Sequence, residues 1–331
     1  MQPKGLLNTV TLCMILVVLV LSAGQVLPAS QAQEYPNKPI TMIVGFAAGG
    51  VTDLPARKLA ELASKYLNNQ PIIVENKVGG AGTIAAVSLS KANPDGYTIS
   101  AVTFSSLVLI PHMRKVAYDT KKDFEYILQV AEYAQPFCVR KDHPANSWKE
   151  WLEWAKKNVD KATYCTSGPG SGPHVFMQEI FNIEKIKPFH IPFGGGIECV
   201  TAVLGGNVNA VLDSATVPHI KSGQFKAFAV EPEERISSLP NVPTFKELGY
   251  GTVRAPLWLG LGAPGKLAAP ILKKLEEAFT KAAKEPAFRE MMEKMGGMEV
   301  VVKNSAAFRK IVESDYDYYA VAIKKLGIKA Q

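Results

Sequence analysis

Short apolar runs and helix-spaced apolar residues alternate along the first third of the chain. Residues 40–46, 71–75 and 98–102 are apolar runs of strand length, whereas residues 52–67 carry apolar side chains three or four positions apart, as one helix face requires. Residues 83–91 form a second helical segment between the second and third runs. This β-α-β-α-β order predicts a parallel sheet that is covered by helices on both faces.

The alternation recurs after residue 125 and then gives way to helices. Further strands are predicted at 126–133, 137–140, 163–166, 189–193, 210–212 and 226–230. An apolar run at 253–262 then returns towards the first half of the chain. Helices are predicted at 267–283, 287–295 and 305–326, and a strand at 298–302 lies before the last helix. About 300 residues exceed one ordinary core, so we expect two lobes. One would contain residues 33–131 plus 253–331 and the other residues 132–252, with a hinge where the chain crosses.

The N-terminal residues have the pattern of an export signal. Lys4 precedes an apolar run at residues 10–21, and Ser30 and Ala32 occupy the small-residue positions before a signal-peptidase cut. We therefore expect residues 1–32 to be a signal peptide that is cleaved near Ala32, and the mature protein to be exported to the periplasm. A membrane anchor is the alternative, although the run is short for a span of roughly 20 apolar residues.

Charge and cysteine content narrow the classes of function. The chain has 37 Lys and Arg against 30 Asp and Glu, and the excess is scattered rather than arranged in a basic stripe, so we expect no nucleic-acid binding. Cys138, Cys165 and Cys199 remain after cleavage, and an odd number cannot complete a set of internal disulfides. Their spacing matches no zinc motif. We expect these cysteines to be buried, and we expect no metal and no cofactor.

The most informative stretch is the loop at residues 46–53. An apolar strand runs into Gly49 and Gly50, and a helix opens at Thr52 or Asp53. This arrangement directs unpaired backbone N–H groups and the positive end of the helix dipole at one point, which suits an anion such as a carboxylate or a phosphate. Phe46 is placed to stack on a ligand or to pack, and Asp53 is placed to cap the helix or to contact the ligand.

Two further glycine loops, at residues 164–174 and 190–198, have the same arrangement of a strand, a glycine turn and a helix start. Ser167, Ser171 and His174 add hydroxyl and imidazole groups to the first of them. Ligands of α/β proteins bind at the carboxyl edge of the sheet, where such strand-to-helix loops lie. Two lobes that face each other would therefore bring these loops opposite residues 46–53.

Two enzymatic interpretations remain weaker. Ser171 and His174 could act as a nucleophile and its base in an exported hydrolase, although no G-x-S-x-G motif is present. Residues 80–85 match the dinucleotide pattern G-x-G-x-x-A, but the following strand ends in Thr103 and Phe104 rather than in the acid that a ribose requires. Packing of a tight turn explains the pattern at 80–85 better.

Seven short motifs occur in a specific order, at residues 35–40 (YPNKPI), 46–53 (FAAGGVTD), 74–77 (VENK), 93–98 (NPDGYT), 167–174 (SGPGSGPH), 204–208 (LGGNV) and 240–244 (PNVPT). In this order and spacing they resemble the periplasmic solute-binding receptors of the tripartite tricarboxylate transporter group, also called TctC-type or Bug receptors. The resemblance extends from Tyr35 to near the C-terminus. Ala48 and Gly194 depart from it, because the family usually has Pro and Lys there.

The resemblance implies a two-lobed α/β fold of the type II periplasmic-binding-protein (Venus-flytrap) class, each lobe being a mostly parallel sheet flanked by helices. Such a monomer captures a small organic carboxylate, either a di- or tricarboxylate or an aromatic acid, and delivers it to membrane permease subunits without catalysis. A ligand-sensing partner of a signalling receptor is an alternative. The implied ligand-binding residues are Phe46, Ala48, Gly49, Gly50, Thr52, Asp53, Thr103, Ser105, Ser167, Gly170, Ser171, His174, Gly194, Gly195 and Asp213.

Overall fold

The computed structural model describes residues 35–231, 234–253 and 257–326, so the predicted signal peptide lies outside the described residues. The strands are β1 (Ile40–Val44), β2 (Ile72–Asn76), β3 (Thr98–Thr103), β4 (Phe124–Tyr133), β5 (Pro136–Arg140), β6 (Thr163–Thr166), β7 (Phe189–Pro192), β8 (Ala210–Leu212), β9 (Phe225–Val230), β10 (Trp258–Pro264) and β11 (Met298–Asn304). The α-helices are α1 (Asp53–Ser64), α2 (Thr83–Ser90), α3 (Ile110–Met113), α4 (Trp148–Lys157), α5 (Gly172–Glu184), α6 (Gly196–Leu204), α7 (Val217–Lys221), α8 (Ala269–Lys284), α9 (Pro286–Met295) and α10 (Ser305–Leu326).

The first sheet contains six strands in the order β11-β4-β10-β3-β1-β2. β1 pairs in parallel with β2 and β3, since α1 and α2 return the chain to the same edge after each strand. β10 is antiparallel to β3 and β4, and β11 is antiparallel to β4. Apolar faces of α1 and α8 close one side of this sheet around Leu59, Leu275 and Phe279, which are all buried. We call this sheet and its helices lobe 1.

The second sheet contains five strands in the order β7-β6-β8-β5-β9. β6 pairs in parallel with β7 and β8, whereas β5 is antiparallel to β8 and β9. The amphipathic helix α4 buries Trp148 and Trp151 against Phe137, and Tyr164 and Phe181 complete this aromatic core. Ser147 caps α4, since its side chain accepts a hydrogen bond from the Glu150 N–H group. We call this sheet and its helices lobe 2.

The two-lobed α/β architecture is confirmed, but both sheets are mixed rather than mostly parallel. In the first sheet, the antiparallel pairs involve β10 and β11, which come after the chain has returned from lobe 2. β4 leads out of the first sheet, and β10 returns between β3 and β4, so it must run against both.

The chain passes directly from β4 to β5 through residues 134 and 135. Backbone hydrogen bonds fix this passage on both sides, from Tyr133 N–H to Leu257 C=O (2.7 Å), from Ala134 N–H to Gly297 C=O (2.7 Å) and from Glu231 N–H to Gln135 C=O (3.1 Å). The first sheet thus takes its strands from residues 40–133 and 258–304, and the second from 136–230. The lobe boundaries at residues 132 and 252 stay a prediction. Within the described residues, no helix is long and apolar enough to cross a membrane.

Candidate functional site

A cavity of about 220 Å³ lies between the two lobes, and both lobes line it. Lobe 1 contributes the loop after β1, the end of β3 and the chain passages at Tyr133, Gln135 and Trp258. Lobe 2 contributes Ser167, the start of α6 and Asp213 at the end of β8. The strand-to-helix loops therefore meet at the facing edges of the two sheets, where a parallel α/β arrangement places ligands.

Asp53 organises the loop between β1 and α1 from behind. Its side chain is fully buried, and it accepts hydrogen bonds from Gly49 N–H (2.8 Å), Arg57 Nε (2.8 Å) and Asn76 Nδ2 (2.7 Å). Asn76 Nδ2 also donates to Phe46 C=O at 2.9 Å, which ties the start of the loop to the same network. These contacts fix the shape of the loop, most of whose residues line the cavity.

The charge of Asp53 is stabilised within the fold. Burial alone would raise the pKa of this carboxyl, but the hydrogen bonds from Arg57, Asn76 and Gly49 outweigh burial and lower it. Asp53 does not cap α1 in the usual way, because Thr52 occupies the N-cap position and makes no side-chain capping bond. Asp53 is therefore a positioning residue of the loop.

Hydroxyl groups on lobe 1 join the cavity wall to the rest of the fold. Thr52 Oγ1 and Tyr133 OH are 2.8 Å apart, which links the first loop to the passage between the lobes. Thr103 lies at the end of β3 and contacts Ser106 through their hydroxyls at 3.2 Å. Ser105 accepts a hydrogen bond from Gly172 N–H of lobe 2 at 3.1 Å. This last bond is a direct contact between the two walls of the cavity.

Gly172 brings the lobes close together at this point. A Cβ atom at Gly172 would lie 2.0 Å from Leu257 Cδ2, so a side chain there would have to displace the buried Leu257 side chain. A similar restriction applies at Gly196, where a Cβ would lie 1.9 Å from Asp213 Oδ1. Both glycines start helices of lobe 2, and both allow a neighbour to approach the helix backbone.

Asp213 is the most buried acid on the cavity wall, with 2 % of its surface exposed. It accepts one hydrogen bond, from Ala215 N–H at 2.9 Å, which caps the short turn Ser214–Thr216. Burial raises the pKa of Asp213 to about 6, and the single backbone bond only partly counteracts this. Asp213 is thus a largely ionised carboxylate at neutral pH that has few partners within the fold.

Ser171 and His174 do not form a nucleophile and base pair. Ser171 Oγ donates to Thr166 Oγ1 at 3.3 Å, while His174 Nδ1 accepts from Gly170 N–H at 3.0 Å. His174 stacks on His190 with ring centroids 4.1 Å apart. Burial lowers the pKa of His174 to about 4 and that of His190 to about 3, so both rings are neutral at pH 7. This group shapes the loop after β6 behind the cavity wall.

The cavity brings together nine of the fifteen predicted ligand-binding residues. These are Phe46, Ala48, Gly50, Thr52, Thr103, Ser105, Ser167, Gly195 and Asp213. The other six do not line it: Gly49, Asp53, Gly170, Ser171, His174 and Gly194. Gly194 instead lines a smaller neighbouring cavity of about 160 Å³, together with Arg114 and the glycine turn at residues 79–82. The glycines of that turn pack tightly, since a Cβ at Gly82 would meet the Phe46 ring at 3.2 Å.

Several wall residues were missed by the sequence prediction. Tyr133 and Gln135 lie in the passage between lobes, and Trp258 begins the return strand. The predicted hinge could have indicated them, because a hinge between two facing lobes borders the cleft. Glu198 and Ile197 belong to the third glycine loop, but α6 begins at Gly196 and turns both towards the cavity. No pattern in the sequence specified that orientation.

The cavity wall carries acids but no base among the residues that the structure describes. Asp213 and Glu198 are its charged residues, and backbone, hydroxyl, amide and apolar groups make up the rest. Over the same described part of the chain, no group of three or more His, Cys, Asp or Glu side chains could hold a metal ion. Cys138, Cys165 and Cys199 are buried free thiols behind the wall, as predicted. Burial raises the pKa of Cys138, which keeps that thiol protonated.

Comparison with known proteins agrees with this architecture. The family model of the tripartite tricarboxylate transporter family receptor (TctC) matches residues 55–328. The "UPF0065 protein in gbd 5'region" of Cupriavidus necator is 37% identical over 304 residues, which cover 91% of this chain and 92% of that protein. The chain therefore belongs to the tripartite tricarboxylate transporter receptor family, and the resemblance seen in its motifs is confirmed.

Solved structures of this family share the fold. The periplasmic binding protein BugD is 32% identical, with a TM-score of 0.83 over 90% of this chain and 100% of that chain. MatC from Rhodopseudomonas palustris, solved with bound malate, is 26% identical, with a TM-score of 0.80 over 87% of this chain and 100% of that chain. The chain is thus a solute-binding protein by family and by fold.

Proposed function

We propose that this protein is a periplasmic receptor that captures a small organic carboxylate and delivers it to the membrane permease subunits of a tripartite tricarboxylate transporter. The observation that carries the proposal is the cavity between the lobes, whose walls are strand-to-helix loops from both sheets. Malate in the structure of MatC supports a carboxylate as the ligand class. The family description supports a transporter as the partner.

The carboxylate is proposed to bind at the loop of residues 48–52. The turn before α1 lies there at the positive end of the helix dipole, and Thr52 adds a hydroxyl. The N–H groups of Gly49 and Gly50 are bonded within the loop, to Asp53 and to Ala47 C=O. Asp53 fixes this loop from behind without entering the cavity. Backbone amides, hydroxyls and bridging waters can hold an anion without a salt bridge, so the absence of a base among the described wall residues does not oppose an anion.

Binding is proposed to close the lobes. A ligand in this cavity contacts lobe 1 and lobe 2 at once, and it gains both sets of contacts only when the lobes face each other closely. The direct backbone passages near Tyr133 and Gln135 are the positions at which the hinge would bend. A membrane permease would then recognise the closed form of a monomeric receptor that has been exported by its signal peptide.

A binding role explains the site better than hydrolysis does. Ser171 and His174 each bond to other partners, and neither lines the cavity. A ligand-sensing role for a signalling receptor would use the same cavity and differs only in the partner. Co-purification with a permease or with a sensor after cross-linking in the periplasm separates these two roles.

Calorimetric titration of the mature protein with mono-, di- and tricarboxylates and aromatic acids tests the proposed function. Saturable binding of at least one acid is expected, and no response to the whole panel would contradict the proposal.

The substitution Gly50→Val tests the proposed position of the ligand. It should weaken binding strongly, because a Cβ at Gly50 has only Ala47 C=O within 4 Å, at 3.1 Å, and a larger side chain would extend into the cavity. Gly251→Val is the matched control, since Gly251 lies outside the cavity and a Cβ there meets only the flexible Lys246 side chain.

A further inference from the structure

The charge on the cavity wall is opposite to that of the whole protein. The chain has a formal net charge of +7, yet the cavity wall carries Asp213 and Glu198 and no base among the described residues. A sphere with the cavity's volume of 220 Å³ has a diameter below roughly 8 Å, which is the Debye length at physiological salt. Both carboxylates therefore act on any charged group of a ligand in this cavity.

Two buried acceptor groups on the cavity wall have few or no donors within the described fold. Asp213 is 98 % buried and accepts a single bond, through Oδ1 from Ala215 N–H. Gln135 is 6 % exposed and also lines the cavity, and its Oε1 has no hydrogen-bond partner among the described residues. Buried acceptors that lack donors in the protein favour a ligand that brings donors.

Glu198 has a structural role that does not use its charge. Its Oε2 accepts a hydrogen bond from Gly194 N–H at 2.8 Å, which closes the loop before α6. A neutral glutamine could accept the same bond through its amide oxygen. The Glu198 side chain is exposed at the cavity wall, and its negative charge can be removed while the loop contact is kept.

The remaining walls suit the body of a cation as well. Phe46, Phe104, Tyr133 and Trp258 line the cavity, and aromatic faces attract ammonium groups. Lobe 1 lines the cavity with the loop of residues 48–52 at the positive end of the α1 dipole, whereas Asp213 and Glu198 line it from lobe 2. The walls from the two lobes thus differ in the charge that they favour.

We propose that the preferred ligand is an organic acid that also carries a cationic nitrogen, with its carboxylate at residues 48–52 and its ammonium group against Asp213 and Glu198. The inference rests on the proposed function, because it needs a carboxylate ligand in this cavity. A dicarboxylate of the same length would place its second negative charge against the two acids, and like charges brought together in this way weaken binding. Glu198 is accordingly a specificity-determining residue.

Matched ligands of one length test this inference directly. Calorimetry at pH 7.5 compares the dicarboxylate, the ω-amino acid and the simple monocarboxylate at four, five and six carbons, for example adipate, 6-aminohexanoate and hexanoate. For the length that binds best, the ω-amino acid is expected to bind at least about tenfold more tightly than the dicarboxylate. Glu198→Gln should reduce this ratio about tenfold, while Glu153→Gln on the outer face of α4 should leave it unchanged.

The possible outcomes separate the inference, the role of Glu198 and the proposed function. A dicarboxylate or a simple monocarboxylate that binds as tightly as the ω-amino acid overturns the inference and leaves the proposed function standing. An unchanged ratio in Glu198→Gln, in a variant that unfolds at the wild-type temperature, limits Glu198 to its loop contact and overturns its specificity role. If that variant does not fold, the wild-type ligand series decides the inference alone. No binding by any acid overturns the proposed function and the inference together.

Discussion

Asp53 and Asp213 are both buried acids at the cleft, one in each lobe, yet their surroundings differ sharply. Asp53 accepts hydrogen bonds from Gly49, Arg57 and Asn76, and these bonds lower its pKa although burial opposes them. Asp213 accepts one bond, from Ala215, and burial raises its pKa to about 6. The first acid supports the fold, whereas the second is held at an energetic cost on the cavity wall.

The comparison shows how a buried acid with a function can be recognised. A carboxylate that is surrounded by donors has its bonding capacity used within the protein and stabilises a loop. A carboxylate that is buried with few donors reduces stability unless something else supplies them. At the wall of a cleft, that supplier can be a ligand. Asp53 thus shapes the cleft from lobe 1, whereas Asp213 of lobe 2 lines the cavity with a single donor from the fold.

The largest expected effect comes from Asp53→Ala. Three donors, including the Arg57 guanidinium, lose their acceptor, so we expect the free energy of unfolding to fall by about 3 kcal/mol. Urea denaturation of the ligand-free protein measures this change. Asp142→Ala is the control, because Asp142 also pairs with an arginine, Arg140, but on the surface, where such pairs contribute little. Equal effects of the two substitutions would remove the supporting role of Asp53.

Asp213→Asn should have the opposite sign. The folded pKa of about 6 lies above the ordinary value of 3.8, so the folded state bears the full cost of the ionised acid above pH 6. We expect the variant to gain roughly 3 kcal/mol of unfolding free energy at pH 8. As pH falls from 6 to 4, the wild type binds its proton first in the folded state and the difference disappears. Thermal or urea unfolding at pH 8, 6 and 4 measures it, and a destabilised variant at pH 8 would contradict the comparison.

Gly196→Ala tests whether the position of Asp213 matters. The added Cβ would lie 1.9 Å from Asp213 Oδ1, so the carboxylate must move, and we expect a loss of about 2 kcal/mol in stability. Ligand affinity, measured by calorimetry, should fall as well. Gly195→Ala is the matched control for stability, since a Cβ at Gly195 has no neighbour within 4 Å. Equal stability of the two variants would show that the contact with Asp213 is easily relieved.

The smallest expected effect is that of Tyr133→Phe. Loss of the hydrogen bond between Tyr133 OH and Thr52 Oγ1 should reduce stability by about 1 kcal/mol. Tyr66→Phe removes a comparable bond to Glu285, which is remote from the cavity, and should reduce stability by a similar amount. Only Tyr133→Phe should also change ligand affinity in calorimetry. If both variants bind ligand like the wild type, the bond serves the fold alone.

Much of the fold was predictable from local pattern. The strands before Gly49 and after residue 97, and the helices between them, follow from hydrophobic periodicity and from turn residues. The direction of the later strands was not predictable from local pattern. The strand β10, for example, pairs with β3 and β4, which lie far away in the sequence. Pairing of distant strands is set by the packing of the whole lobe rather than by local propensity.

The candidate site was predictable only where a local sequence pattern marks it. Glycine loops that follow strands identify a binding edge, and nine predicted residues, such as Thr52 and Ser167, line the cavity. Asp53 and His174 were also predicted to contact the ligand, but their side chains bond within the fold. Glu198 and Gln135 reach the wall through a helix start and a passage between lobes, and neither position has a local signature.

The sequence by itself determined the family, the alternating elements and the glycine loops that follow the strands, because these depend on short-range spacing and on glycine. The tertiary structure decided which acid is surrounded by donors and which faces the cavity. That distinction depends on partners such as Asn76, which lies 23 residues after Asp53. It also depends on the close approach of Gly196 to Asp213, where only the absence of a side chain allows the contact.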